Sequence, residues 1–221
     1  MMKSNTEIQR NAFDEYIADI RNTRYQKVEK IIRKLKKGSV LEIGCWGGEF
    51  LELLRKQGWK VKGIEISKKA VQRARSKKID VKTYDVNKKI PFKDESFDVI
   101  FAGELVEHVF DDVKFLNECY RLLKKGGSVI LTTPNLLSLK NRFLMLFGFN
   151  PRYVLSPYHY HVYTLKVLGE VFKKSLFKYP KFKGNFIIYS KNREPILGGI
   201  FEALADFLPS LAEHFVIYAK K

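Results

Sequence analysis

Cysteine is scarce in this chain: Cys45 and Cys119 are the only two among 221 residues. Two thiols make no disulfide framework, so a buried core has to carry the fold and a reducing compartment is expected. No run of about 18 consecutive apolar residues occurs, which argues against a membrane-spanning helix. The opening stretch MMKSNTEIQRNAFDEY lacks the apolar centre of a secretion signal. The expected location is therefore cytoplasmic, with peripheral membrane contact left open. Acidic residues are the other shortage. Asp and Glu number 24 against 41 Lys and Arg, a net charge of +17. That balance favours polyanions or an anionic membrane surface as partners. The excess is clustered: residues 24–37 hold seven basic residues and one acidic residue, and residues 67–79 hold six basic residues and no acid. Lysines on solvated helix faces account for most of this without any partner.

What is present is an alternation of strand and helix patterns. KVEKIIRKLKK spaces Val28, Ile31, Ile32 and Leu35 as a helix does, with Gly38 as its stop, and SVLEIG follows as a short buried strand. EFLELLRKQ reads as a helix, KVKGIEI as a second strand, and Ser67 as the N-cap of KKAVQRARSKK. Strands are expected at 80–86, 96–104 and 128–134, with a helix over DVKFLNECYRLLKK stopped by Gly126 and Gly127. Beyond Pro134 come an apolar and basic helix within 135–149, a loop-like stretch, a helix from Thr164, a strand at 185–191, a helix within 194–211 and a strand at 214–221. Such alternation predicts an α/β fold with a mostly parallel sheet and helices on both faces. The chain reads as a single domain over 1–221, with an N-terminal helical segment at 1–37 and an inserted cap at 135–163.

The first strand runs through Glu42 into Gly44, Gly47 and Gly48 at the mouth of a helix. Glycine lets the backbone turn sharply and lets a ligand approach closely, and the free N–H groups of a helix start favour an anionic group. In open parallel sheets ligands collect in that crevice. Glu65 closes the second strand, where it suits ribose hydroxyls. Asp85 closes the third, placed for an adenine amino group, and Asp98 opens the fourth. The nicotinamide fingerprint G-x-G-x-x-G is missing, because Trp46 stands at its second glycine.

The segments VLEIGCWGGEF, GIEIS, YDV, FDVIFAGELVEHV and LLKKGGSVILTTPN resemble, in order and spacing, the successive motifs of class I S-adenosylmethionine-dependent methyltransferases. The resemblance covers residues 28–135. It implies a Rossmann-like seven-stranded sheet whose last strand is antiparallel, and S-adenosyl-L-methionine as cofactor. It places Gly44, Cys45, Trp46 and Gly48 around the methionine part, with Glu42 anchoring the loop. Glu65 and Ile66 would meet the ribose, Asp85 and Val86 the adenine, and Gly103, Glu104 and Leu105 the methionine side. A large ring at position 46, where glycine is usual, would narrow the cofactor mouth or pack on substrate.

The place after the fourth strand reads GELV and not [D/N]-P-P-[Y/F], which argues against methylation of exocyclic nitrogens. The run GELVEHV … LLKKGG … TTPN is similar to small-molecule enzymes, including the ubiquinone-pathway O-methyltransferases. A hydroxyl acceptor needs a base, and His108 and His161 are the candidates, with His159 behind them. His214, inside the last strand, reads as structural. No metal-ligand motif is recognised, and Glu104, Glu107 and Asn135 are not diagnostic of one. The apolar stretch Phe143–Phe147, flanked by Lys140 and Arg142, and the stripe from Ile196 to Leu211 suit a core or dimer contact. They also suit a lid over a lipid or quinone-like acceptor at an anionic membrane surface. An RNA substrate is the weaker alternative, since no RNA-binding module is seen. A third reading is a non-catalytic cofactor-binding protein that acts through a partner.

Overall fold

The structure is a computed structural model, and it describes residues 19–20, 22–152, 156, 158–185 and 203–221. Seven strands form one sheet in the order β3-β2-β1-β4-β5-β7-β6. They are β1 (Ser39–Ile43), β2 (Lys60–Glu65), β3 (Val81–Thr83), β4 (Phe97–Gly103), β5 (Leu123–Pro134), β6 (Lys178–Asn185) and β7 (His214–Lys220). The first five are parallel, and β7 runs antiparallel to both of its neighbours. The helices are α1 (Thr23–Ile32), α2 (Glu49–Lys56), α3 (Lys68–Ser76), α4 (Asp112–Leu122), α5 (Leu139–Leu146) and α6 (Leu165–Lys174). Among the described residues no helix is long and apolar enough to cross a membrane.

Side chains of a strand alternate between faces, and the core follows that period. From β4, Ile100 and Ala102 join Phe115, Leu116 and Cys119 of α4 and Leu168 and Phe172 of α6. Val99 and Phe101 join Tyr25, Val28 and Ile32 of α1 and Phe50 and Leu54 of α2 on the other face. Tyr25, Phe50 and Phe101 close a ring cluster there, with centroids 5.2 to 5.9 Å apart. These two layers hold the carboxyl ends of β1, β2 and β4 side by side.

Several boundaries differ from the expectation. α1 starts earlier, at Thr23, because Asn22 caps it by accepting the Arg24 N–H at 3.0 Å, and it ends at Ile32. Gly126 and Gly127 do not stop α4. The chain turns extended at Leu123, which is fully buried and pairs with Phe97, so both glycines lie inside β5. β3 stops at Thr83, leaving Asp85 in the following loop. β6 lies at 178–185, within a lysine-rich stretch that alternation does not mark; as an edge strand it tolerates Pro180 with a shift of register between Lys178 and Lys181. The expected strand beyond Asn185, and Ile196, Leu197, Ile200 and Phe201 of the apolar stripe, fall outside the described residues. Within the expected 194–211 helix, residues 203–207 are helical and Pro209–Leu211 form a single 3-10 turn.

Asp98 sits at the amino end of β4, the far end of the sheet from the glycine loop. It accepts from Ser39 N, Ser39 Oγ and Lys124 Nζ, each at 2.7 Å. It clamps β1 to β4 and belongs to the fold, not to a ligand site.

Candidate active site

At the carboxyl ends of β1, β2 and β4 lies a cavity open to solvent, with about 610 Å³ of empty space counting the solvent at its mouth. Ten of the sequence-derived site residues line it: Gly44, Trp46, Glu65, Ile66, Asp85, Val86, Gly103, Glu104, Leu105 and His108. Tyr84 and Asn87 complete the wall. Asn87 was not anticipated, although its neighbour Asp85 accepts from both its backbone N–H at 3.0 Å and its side-chain amide at 3.1 Å.

Four expected residues are off the wall. Cys45 is buried with its thiol toward β2, where a Cβ on Gly63 would come within 2.5 Å of Sγ. Gly48 caps α2 with φ 74°, and a side chain there would meet Ala74 of α3 at 3.1 Å, so it serves helix packing. Glu42 does not anchor the loop. Its carboxyl is fully buried with Oε2 lacking a hydrogen-bond partner, and burial, followed by the charges of Glu49 and Glu65, pushes its pKa well up. Anchoring falls to Glu65. Its Oε2 accepts the Trp46 N–H at 3.0 Å, and its Oε1 accepts from Ile66 N at 2.7 Å and Ser67 N at 2.9 Å. A carboxylate has about four acceptor sites, so three backbone donors still leave one for a ligand hydroxyl. Burial raises the Glu65 pKa against those hydrogen bonds.

Trp46 adopts φ 46°, in the left-handed region, which explains why glycine is the usual residue at this point. Its ring packs against the cluster of Tyr25, Val28 and Phe50 while lining the cavity.

Glu104 also has a left-handed backbone, φ 50°, as β4 ends. Its Oε2 lies 3.2 Å from Arg24 Nη1 on α1 and 3.2 Å from His214 Nε2 on β7. Burial alone would raise its pKa, but the charges of Arg24 and His214 outweigh it and bring the value down to about 2. Neither Arg24 nor His214 was anticipated as a site residue, since nothing local ties a helix start or the first residue of an interior strand to a carboxylate so distant in sequence. Glu107, one turn on, is the opposite case. Burial and then the Glu104 charge push it well up, and its Oε2 accepts from Thr133 Oγ1 at 3.0 Å.

His108 stands on the 3-10 turn Val106–His108. Its Nδ1 is 2.9 Å from the carbonyl of Tyr158. A carbonyl only accepts, so Nδ1 carries the proton and Nε2 keeps its lone pair. Burial is the largest influence on this ring and lowers its pKa, favouring the neutral form. His159 packs edge-on against it at 4.7 Å. Glu107, His108 and His159 each bring a donor atom within 4.8 Å of the others, a grouping that the sequence motifs did not suggest. His161 is not on this wall. It stacks on Tyr163 with its Nδ1 3.9 Å from Asp112 Oδ2, and it lines a separate small cleft with Glu107 and Thr133.

The cavity suits S-adenosylmethionine in its donor set: carboxylates at Glu65, Asp85 and Glu104 for hydroxyls, an amino group and a cationic end, between apolar walls from Ile66, Val86 and Leu105. Residues 41–131 match the methyltransferase domain family. The ubiquinone biosynthesis O-methyltransferase of Nitrosomonas europaea is 30% identical over 123 residues, 53% of this chain and 52% of that protein. Its namesake from Pelagibacter ubique is 39% identical over 113 residues, 49% of this chain and 47% of that one. The chain thus spans about half the length of the curated relatives it matches. Among solved structures, an S-adenosylmethionine-dependent methyltransferase from Archaeoglobus fulgidus aligns with a TM-score of 0.64 at 20% identity, over 90% of this chain and 93% of that one. Phosphoethanolamine N-methyltransferase 2 of Haemonchus contortus, solved with S-adenosyl-L-methionine, aligns at 0.63 and 18% identity, over 99% of this chain and 57% of its own. At these identities the structural likeness concerns the fold. Motif order, sheet order and the domain match over residues 41–131 together liken this chain to the class I S-adenosylmethionine-dependent methyltransferases.

Proposed function

We propose that this protein transfers the methyl group of S-adenosylmethionine to a hydroxyl oxygen of a small, lipophilic acceptor. The observation that carries the reading is His108: a half-buried imidazole on the wall of the cofactor cavity, its Nδ1–H on the Tyr158 carbonyl and its pKa lowered toward the neutral form, with Nε2 as the basic atom of that tautomer. When bound, the cofactor supplies an electrophilic methyl on a sulfonium. Glu65 would hold a ribose hydroxyl, Asp85 would face the adenine end, and Gly103 to Leu105 would border the methionine end. Trp46 and Leu105 exclude water. His108 Nε2 takes the acceptor proton as the oxygen becomes nucleophilic, and in-line orientation supplies much of the remaining rate. His161, away from this wall, is not assigned the base role.

Support for oxygen as the acceptor atom comes from the absence of the amino-methylating tetrad after β4 and from the names of the matched relatives. The cytoplasmic location expected from the cysteine count is part of the same proposal. The test is an isotopic methyl-transfer assay over phenols, catechols, hydroquinones, lipid extracts, amines and RNA. Label in a hydroxyl product supports the reading. Transfer confined to nitrogen or to RNA overturns it.

A further inference from the structure

Helix α5 is built inside out. The one side chain it buries is polar: Asn141, 4% exposed, donates from Nδ2 to the Asn135 carbonyl at 3.1 Å and accepts from the Arg152 N–H at 2.8 Å through Oδ1. All but Leu144 of its apolar side chains face outward. Leu139, Phe143 and Leu146 are 56, 64 and 76% exposed, and Phe147 and Phe149 just beyond are 61 and 64% exposed. A helix on a water-facing surface shows the reverse pattern. Phe207, 81% exposed, stands near the Pro209–Leu211 turn, which Arg142 reaches by donating from Nη2 to the Ser210 carbonyl at 3.5 Å. Phe143 and Phe147 lie ring to ring with centroids 5.0 Å apart, so exposed rings adjoin on this surface, and adjoining exposed apolar groups mark an interaction site.

We propose that α5 and residues 147–149 dock onto an anionic lipid surface, the rings and Leu146 entering the acyl boundary, while Lys140, whose Nζ lies 3.6 Å from Glu213 Oε1, and Arg142, which donates to the Leu137 and Ser210 carbonyls, meet the headgroups with their remaining donors. Charge selects this occupant. With a net charge of +17, a second copy of the chain meets the patch with like charge, whereas an anionic bilayer attracts it. An apolar face flanked by basic residues is also what holds a helix in the plane of a bilayer. The patch follows β5 directly and lies on the carboxyl side of the sheet, the side on which the cofactor cavity opens. Delivery of a lipid-soluble acceptor from the bilayer rests on the proposed function; the docking itself does not.

The test is co-sedimentation of the full chain with vesicles of phosphatidylcholine alone or mixed with phosphatidylglycerol. Wild type is compared with a Phe143→Ser, Leu146→Ser, Phe147→Ser variant and a Lys140→Gln, Arg142→Gln variant. The three apolar side chains are already exposed, so their loss leaves the core intact; calorimetric binding of S-adenosylhomocysteine checks fold and site in each sample. The expected result is binding to the mixed vesicles only, weakened about tenfold or more by the apolar variant and markedly by the basic one. Failure of wild type to sediment overturns the proposal, as does equal binding by the apolar variant. A lipid-free dimer that the apolar variant converts to monomer also overturns it, in favour of a second copy. Vesicle binding without any S-adenosylhomocysteine binding removes the methyltransferase reading and leaves the docking standing.

Discussion

Glu104 Oε2 lies 3.2 Å from Arg24 Nη1, so the first described helix is pinned to the end of the fourth strand at the cavity wall. His214 approaches the same oxygen at 3.2 Å from the seventh strand. Three elements remote in sequence thus converge on one carboxylate, and the cofactor crevice is closed on that side by an ion-pair network.

Replacing Glu104 by Gln is expected to destabilise the protein by about 2 kcal/mol at neutral pH, since it removes the charged partner of Arg24 and the carboxylate facing His214. The folded pKa of Glu104 is depressed to about 2, so its contribution is present above the ordinary carboxylate value and lost as pH falls toward 2. Chemical denaturation of wild type and Glu104→Gln at pH 7 and pH 3.5 checks this: the gap should narrow at the lower pH.

Glu42 should show the opposite sign. Its pKa is raised by burial, so the folded state favours the protonated form, and stability is lost as pH rises from the ordinary carboxylate value toward the raised one. Glu42→Gln keeps the shape and removes the titration. It should raise stability at pH 7 by about 1–3 kcal/mol and change little near pH 4. Thermal melts across that range decide it.

Asp85→Ala should weaken S-adenosylmethionine binding about tenfold or more while leaving the melting temperature nearly unchanged, because the carboxylate sits in a loop and bonds only to Asn87. Calorimetric titration, with NAD as the non-binding control, gives the answer.

His108→Gln is expected to lower kcat about 100-fold or more with cofactor affinity retained. Burial holds the His108 pKa below the ordinary histidine value, so the wild-type rate should fall only at correspondingly lower pH, as the ring takes up a proton. That acid limb should vanish in the variant, a change read from the pH profile of S-adenosylhomocysteine release.

Asp98→Ala separates structural acids from site acids. Loss of its contacts to Ser39 and Lys124 should cost about 1–2 kcal/mol of stability. Because the Asp98 pKa is lowered overall, despite burial, by Lys124 and Ser39, that stability is present at neutral pH and fades as pH falls below the ordinary carboxylate value. S-adenosylmethionine affinity should not change, since five residues of strand, roughly 16 Å, separate Asp98 from Gly103 at the cavity.

The parallel half of the sheet was legible because periodicity, caps and glycine turns act locally: β1, β2, β4 and the Ser67-capped α3 fall where the pattern put them. Glu65, Asp85 and Gly103 to Leu105 reached the cavity by motif order. What was not legible depends on distance in three dimensions. Nothing near Glu42 says that its carboxyl would be left unpaired while Glu65 ties the loop. No local signal brings Arg24 or His214 to Glu104. β6 went unread because an edge strand is free to carry lysines and a proline that an alternating pattern counts against. Gly126 and Gly127 misled for a related reason: the pairing of Leu123 with Phe97 overrode their tendency to end a helix.

Synthesis order and spatial order disagree at one edge of this sheet. β6 is made before β7 yet, among the described residues, pairs only with it, and β7 lies between β6 and β5. Until residues 214–220 have left the ribosome, β5 keeps an open edge and β6 has no neighbour to bond. Completion of this half therefore waits on a long-range insertion, the slow and aggregation-exposed class of folding step. A nascent chain or nonsense fragment that stops short of His214 holds every residue that lines the cofactor cavity and still lacks both the strand that seals the sheet and the imidazole that reaches Glu104.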